Sequence, residues 1–154
     1  MNNEVLKEKI LAVLPKAEFA PAGQWLTITL PKERIRSYCQ TLKDSPELRF
    51  DFLFCQTGLD LADQFQVIYH LESTEFRYVI VLKASIPNKE NPEIDTVSDI
   101  YRTAEFHERE IYDFFGIHFK QHPDLRRIFL DEISDMIGHP FRKDYKDEVN
   151  IIER

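Results

Sequence analysis

Apolar periodicity stops at Gly116, and that stop constrains the fold more than any other feature of the chain. Before it, Val97, Ile100, Tyr101, Ala104, Ile111 and Phe115 fall within one arc of a 3.6-residue helix. Thr96 reads as the N-cap of that helix, with Asp99 three residues on at the capping-box spacing. Gly116 sits where a left-handed residue ends a helix. After it, Phe119, Ile128, Phe129, Leu130, Ile133, Met136, Ile137, Phe141, Tyr145, Ile151 and Ile152 follow no period at all. The expected organisation is a globular domain over residues 1–116 and an extended tail over residues 117–154.

One residue breaks the apolar arc. At 100° per residue, Glu108 lies near its centre, between Ala104 and Ile111. A carboxylate is costly to bury unless paired, and Arg109 points to another side. Either the face is shallow and Glu108 reaches water, or Glu108 enters a buried ion pair that fixes how tail and domain dock. In the second case its partner comes from elsewhere in the fold or from another chain. Arg102, Phe106, Arg109 and Asp113 make a second stripe. Such a stripe is usually a solvated face, and Phe106 hints at a contact surface.

Upstream the elements follow in order. Val5, Leu6, Ile10, Val13 and Leu14 share the face of a helix over residues 3–14 that Pro15 ends. Residues 17–20 are a short strand, Pro21-Ala22-Gly23 a turn, and 25–30 a β-branched strand. Pro31 then opens a helix as its first residue, with Ile35, Tyr38, Cys39 and Leu42 on one face. Residues 50–61, 65–72 and 76–84 are three strands, Gly58 loosening the far end of the first, and Ser73-Thr74-Glu75 joins the last two as a hairpin. Residues 86–94 are a polar loop. The order α-β-β-α-β-β-β-α, with paired strands rather than strict βαβ alternation, predicts an α+β fold. Its mixed sheet is packed by helices on one face.

Composition narrows the function. With 43% hydrophobic and 31% charged residues the chain is an ordinary globular one. A net charge of −7 lacks the footprint of a nucleic-acid binder. No apolar run approaches the ~18 residues of a membrane span, and Met1-Asn2-Asn3-Glu4 does not open a signal peptide. The chain is therefore expected in the cytoplasm or at its membrane face. Cys39 and Cys55 stand apart among apolar neighbours and read as core thiols. Two cysteines cannot supply the four thiolates of an iron–sulfur centre. With 4 glycines and no Gly-rich loop, a phosphate cradle is not expected. His118 and His122 have the i, i+4 spacing of two metal ligands, but Gly116 and Pro123 flank them and argue against the helix that geometry needs. His70, His107 and His139 are scattered. Glu108 and Glu110 lie about 200° apart around a helix and cannot face each other as an acid–base pair.

The tail admits three descriptions: disordered, wrapped on its own domain, or laid across a partner chain. Its apolar content opposes the first. The third is favoured, because ordered loops beyond about 12–15 residues are usually functional. Arg126-Arg127 and Arg142-Lys143 are its cationic anchors, suited to carboxylates. Pro123 and Pro140 favour extended backbone before them.

The same stretch carries a resemblance. Glu108-Arg109-Glu110, then Tyr112-Asp113-Phe114-Phe115-Gly116-Ile117, then His122-Pro123-Asp124-Leu125-Arg126-Arg127-Ile128, then Gly138-His139-Pro140-Phe141-Arg142-Lys143-Asp144-Tyr145 resembles the thirty-kilodalton (C) subunit of the respiratory NADH–quinone oxidoreductase, complex I. Upstream, Phe65-Gln66-Val67-Ile68-Tyr69-His70-Leu71 resembles a strand of that family. Tyr101, Phe106 and Met136 stand where the family often has tryptophan. Phe129 and Phe141 stand where it usually has an aliphatic residue.

The resemblance implies a cofactor-free structural subunit, with FMN and iron–sulfur clusters held by partner subunits. It implies docking on the quinone-site (D) subunit, with the iron–sulfur B and I subunits as further neighbours, on the cytoplasmic face of a bacterial inner membrane. The complex would pass electrons from NADH to quinone and translocate protons. The alternative is the same module in a membrane-bound hydrogenase or a ferredoxin-fed complex. A free-standing small enzyme is a third, unrelated reading. The residues expected to carry docking are Glu108, Arg109, Glu110, Asp113, His122, Arg126, Arg127, Arg142, Lys143 and Tyr145. No catalytic, cofactor-binding or metal residue is assigned.

Overall fold

A computed structural model describes residues 3–21, 23–130 and 138–146. Its elements are α1 (Asn3–Val13), β1 (Glu18–Phe19), β2 (Leu26–Pro31), α2 (Ile35–Asp44), β3 (Phe52–Asp60), β4 (Phe65–Glu72), β5 (Val79–Ile86), β6 (Glu93–Asp95), α3 (Ala104–Phe115) and β7 (His118–Lys120). The main sheet has the order β1-β2-β5-β4-β3. Strands β3, β4 and β5 form an antiparallel meander, and β2 joins β5 in parallel. The sheet is thus mixed, as the hairpin-like spacing predicts.

Alternation along the strands decides which face is covered. Phe65, Val67, Tyr69 and Leu71 of β4 are all buried, while the residues between them are half-exposed. Across the register their neighbours Leu53, Ile80, Leu82, Ala84, Ile86, Ile28 and Leu30 are buried with them. This face shares one core with Leu6 and Ile10 of α1, Ile35, Tyr38, Cys39 and Leu42 of α2, and Ala104 and Ile111 of α3. At ~25 cal/mol per Å² of apolar surface removed from water, that layer is the main stabilising term.

Several boundaries differ from the expectation. Pro31 ends β2 in an extended conformation (φ −70°, ψ 151°) and precedes a 3₁₀ turn, so α2 begins at Ile35. Gly58 does not loosen β3: pairing continues through Asp60. A Cβ at Gly58 would lie 2.7 Å from the Phe115 ring, so glycine lets α3 settle close to the strand. Cys39 is buried in the core, but Cys55 is half-buried and faces out beside His70. Strands β6 and β7, a short parallel pair, arise from the expected loop and the expected tail. Ile117 and Phe119 are buried in the common core. The packed body therefore runs past Gly116.

Candidate functional site

Helix α3 starts later than its apolar arc suggests. Residues 97–101 form a separate turn closed by the Ile100 and Tyr101 amides donating to the Val97 carbonyl. Thr96 caps that turn, its hydroxyl oxygen accepting the Ser98 amide at 3.1 Å. Asp99 does not reach back to it, but is held by both terminal nitrogens of Arg36 at 2.7 Å. The far end follows the sequence: Gly116 is left-handed (φ 72°) and its amide donates to the Tyr112 carbonyl.

On the sheet side of α3, Glu108 is fully buried. It accepts hydrogen bonds from the Thr96 hydroxyl and from the Val97 amide, the latter at 2.9 Å. Its partners are therefore a hydroxyl and an amide of its own chain. It neither reaches water nor forms a buried pair with a lysine or arginine. The His122 Nε2 lies 3.8 Å from its Oε2. That nitrogen is 2.9 Å from the Glu105 carbonyl, and His122 Nδ1 accepts the Asp124 amide at 3.0 Å. A ring protonated on Nε2 alone satisfies both contacts. The Gln56 amide approaches Glu108 and the Tyr69 hydroxyl without completing a well-formed bond to either. Burial pushes the Glu108 carboxyl up to about 7, against the opposing pull of the Thr96 and Val97 bonds.

On the other side of α3, Asp113 is also fully buried, by the tail. Its Oδ2 accepts three successive amides, from Ile128 at 3.1 Å, Phe129 at 2.8 Å and Leu130 at 3.0 Å. Arg127 donates to Oδ1 at 2.9 Å, to the Asp113 carbonyl at 3.2 Å and to the Gly138 carbonyl at 2.9 Å. His139 Nδ1 is 2.9 Å from the same Asp113 carbonyl. Burial opposes the Asp113 charge, but the amides of Leu130, Phe129 and Ile128 together with Arg127 hold its carboxyl below the usual range.

Further contacts fasten the tail. Arg109, almost buried, donates to the carbonyls of Arg126 and Arg127 at 3.2 and 3.1 Å. Asp60 accepts Lys89 at 2.5 Å and the Lys143 amide at 2.8 Å. Arg142 donates to the Lys89 carbonyl at 3.0 Å and lies over the Phe65 ring. The Tyr145 ring packs on Gly138, where a Cβ would meet it at 2.6 Å. Phe114 stacks between Phe129 and Phe141, at centroid distances of 5.6 and 4.3 Å, and both outer rings are exposed, at 64% and 57%.

The residues singled out from sequence thus divide. Arg109, Asp113, His122, Arg127 and Arg142 make intrachain contacts that bind the described tail to its own domain, whereas Glu108 binds Thr96 and Val97 within that domain. Glu110, Arg126 and Lys143 present their side chains to solvent. Thr96, Asp60, Lys89 and His139 complete the arrangement, and sequence reasoning gives them no such role. Ile133, Met136, Ile137, Ile151 and Ile152 lie outside the described residues. Among the described residues no cluster of three or more His, Cys, Asp or Glu could hold a metal, and His118 is exposed on β7. None of the described helices is long and apolar enough to cross a membrane. Chemically, the arrangement holds backbone.

Comparison with known proteins gives a consistent result. The family model described as the respiratory-chain NADH dehydrogenase 30 Kd subunit matches residues 28–149. A protein of Phocaeicola vulgatus, named as the C/D subunit of NADH-quinone oxidoreductase, is 43% identical over 124 residues, covering 80% of this chain and 23% of that one. This chain thus spans about a quarter of the length of such C/D relatives. A Roseiflexus protein, named as the C subunit of the same oxidoreductase, is 39% identical over 150 residues, covering 94% and 84%. Among solved structures, Nqo5 (trypsin-resistant fragment) matches with a TM-score of 0.63 at 30% identity, over 81% of this chain and all of that one. A protein of the archaeal membrane-bound sulfane sulfur reductase matches with a TM-score of 0.80 at 27% identity, over 93% and 85%.

Proposed function

This chain belongs to the family of the 30 kDa subunit of respiratory-chain NADH dehydrogenase, and from that premise we propose that it is a cofactor-free structural subunit of a proton-translocating NADH–quinone oxidoreductase. It braces the peripheral arm by docking on the quinone-site (D) subunit, with the iron–sulfur B and I subunits nearby, at the cytoplasmic face of a bacterial inner membrane. FMN and the iron–sulfur clusters belong to partner subunits. Electrons pass from NADH to quinone in the complex, and none passes through this chain.

The observation that carries the reading is the Asp113 hub. A fully buried carboxylate holds three consecutive tail amides and an arginine. Such an arrangement fixes the shape of a surface. Docking on the quinone-site subunit is further supported by relatives whose name joins C and D in one chain. The surface residues Glu110, Arg126, Lys143 and Tyr145 then meet the partner, while Arg109, Asp113, Arg127 and Arg142 hold the surface that meets it.

The match to the sulfane sulfur reductase favours a second reading, the same module in a related membrane-bound hydrogenase or ferredoxin-fed complex. A tagged pull-down from gently solubilised native membranes separates the two. Flavin- and iron–sulfur-bearing partners with NADH–quinone activity are the expected result. A nickel-bearing or ferredoxin-fed assembly would select the second reading. A chain that comes down alone would refute both.

A further inference from the structure

We propose that Glu108 is a proton-binding site with its own path to solvent: its carboxyl gains and loses a proton through the Thr96 hydroxyl and the half-buried Ser98. The site is built within this chain and stands whichever complex the chain serves.

The Thr96 hydroxyl has one proton and two oxygens within reach, Glu108 Oε2 and, at 2.8 Å, Ser98 Oγ. The Ser98 amide takes one of its lone pairs at 3.1 Å. One donor role and one acceptor role remain, to be divided between Glu108 and Ser98. Two arrangements give all three groups their bonds. With Glu108 protonated, the carboxyl donates to Thr96 and Thr96 donates to Ser98. With Glu108 ionised, both bonds run the other way, from Ser98 to Thr96 and from Thr96 to Glu108. The same heavy-atom positions serve both. Passing from the first to the second breaks the O–H bonds of Glu108, Thr96 and Ser98. New ones form on Thr96, on Ser98 and on a solvent water or buffer base, which carries the proton away. Thr96 is 2% exposed and Ser98 is half-buried, so the chain of hydroxyls runs from the sealed carboxyl to the surface.

The other neighbours do not take the proton. His122 Nε2 lies 3.8 Å from Glu108 Oε2. That nitrogen already faces the Glu105 carbonyl, and Nδ1 accepts the Asp124 amide. The ring therefore gains a second proton only by losing the Asp124 bond. Tyr69 of β4 and Cys39 of α2 are fully buried near the carboxyl, and burial keeps both protonated at neutral pH. Gln56 of β3 has a side chain that does not titrate. The Arg36 guanidinium of α2 is held by the Thr96 carbonyl at 2.6 Å and by Asp99. Asp99 opposes a charge on Glu108, and Asp95 of β6 is paired with Lys120 at 3.3 Å. Burial in this setting brings the carboxyl to about 7, where it loads and unloads near neutral pH.

Infrared difference spectroscopy on the purified full chain tests the site. The carbonyl stretch of a protonated carboxyl should disappear as pH rises, with a midpoint of about 7. It should be missing from Glu108→Gln, whose amide copies the shape of the neutral acid. A chain without such a band, or a band that survives Glu108→Gln, overturns the site. A rapid pH jump then reads the path. Ser98→Val fills the place of the hydroxyl with a methyl group. It should slow the loss of the band by about tenfold or more, with the midpoint moved by less than about one unit. Ser98→Thr, which keeps a hydroxyl there, should retain the fast rate. An unchanged rate in Ser98→Val, or an equal slowing in Ser98→Thr, overturns the path.

Discussion

The two sides of helix α3 solve the same problem in opposite ways. Glu108 faces the sheet and Asp113 faces the tail, and both are sealed from solvent. Asp113 receives three amides and a guanidinium, so its charge is compensated and its carboxyl stays low. Glu108 receives one hydroxyl and one amide beside an incompletely bonded Gln56, so burial prevails and its carboxyl rises to about 7. Burial alone therefore does not set the state of a carboxyl. The depth of protein around it, greater for Glu108, and the number and charge of the donors set it together.

The largest effect should come from Asp113→Ala. It strands Arg127 and three amides without an acceptor, and should cost about 3–5 kcal/mol by urea unfolding, the range for breaking a buried pair. Limited proteolysis should then cut within the tail well before the meander opens. Equal cutting of both regions would erase the contrast.

The pH dependence sharpens it. Glu108 is raised above its unfolded value of about 4.5 to about 7. Its contribution is whole below pH 4.5 and is lost as pH rises to about 7. Asp113 is lowered, so its contribution is present above its unfolded value and lost as pH falls through the lower folded one. Glu108→Gln should flatten the stability profile between pH 4.5 and 7 by about 1–3 kcal/mol, since each unit is worth ~1.4 kcal/mol. It should leave the acid limb in place. A profile unchanged by Glu108→Gln would mean that the carboxyl is not displaced.

The smallest effect belongs to Arg126→Ala. Its side chain is exposed and pairs with Asp124 two residues away, so stability should change by less than about 0.5 kcal/mol. Any larger loss would show that the tail is tied by its surface charges as well as by Asp113.

Much of this architecture is legible in the sequence because its signals are local. Strand alternation, the Ser73-Thr74-Glu75 connection and the stop at Gly116 each follow from neighbours in the chain. Strands β6 and β7 escape because three residues carry no usable alternation. Periodicity starts α3 too early because Thr96 does cap helical backbone, but only one turn of it. Asp113 is the harder case. Periodicity puts it on a stripe with Arg102, Phe106 and Arg109 that resembles a solvated face, and only the tail folding back makes it buried. The unpatterned apolar residues after Gly116 are the single hint of that cover. Glu108 stands out as anomalous from its place in the arc, yet its donors lie in a turn that periodicity alone cannot separate from the helix.

The parallel pairing of β2 with β5 also has a consequence in time. Strands β3, β4 and β5 follow one another through short connections and close at low entropic cost. Leu26 must find Ile80 across the whole of α2, β3 and β4. On the ribosome β2 emerges early and then waits, because its partner edge exists only once β5 has been made. From then until β2 docks, the apolar run Val79-Ile80-Val81-Leu82 has an open side. The pairing with the longest separation in the chain thus lies at the centre of the main sheet, and its loop-closure cost falls on this chain before any partner is met.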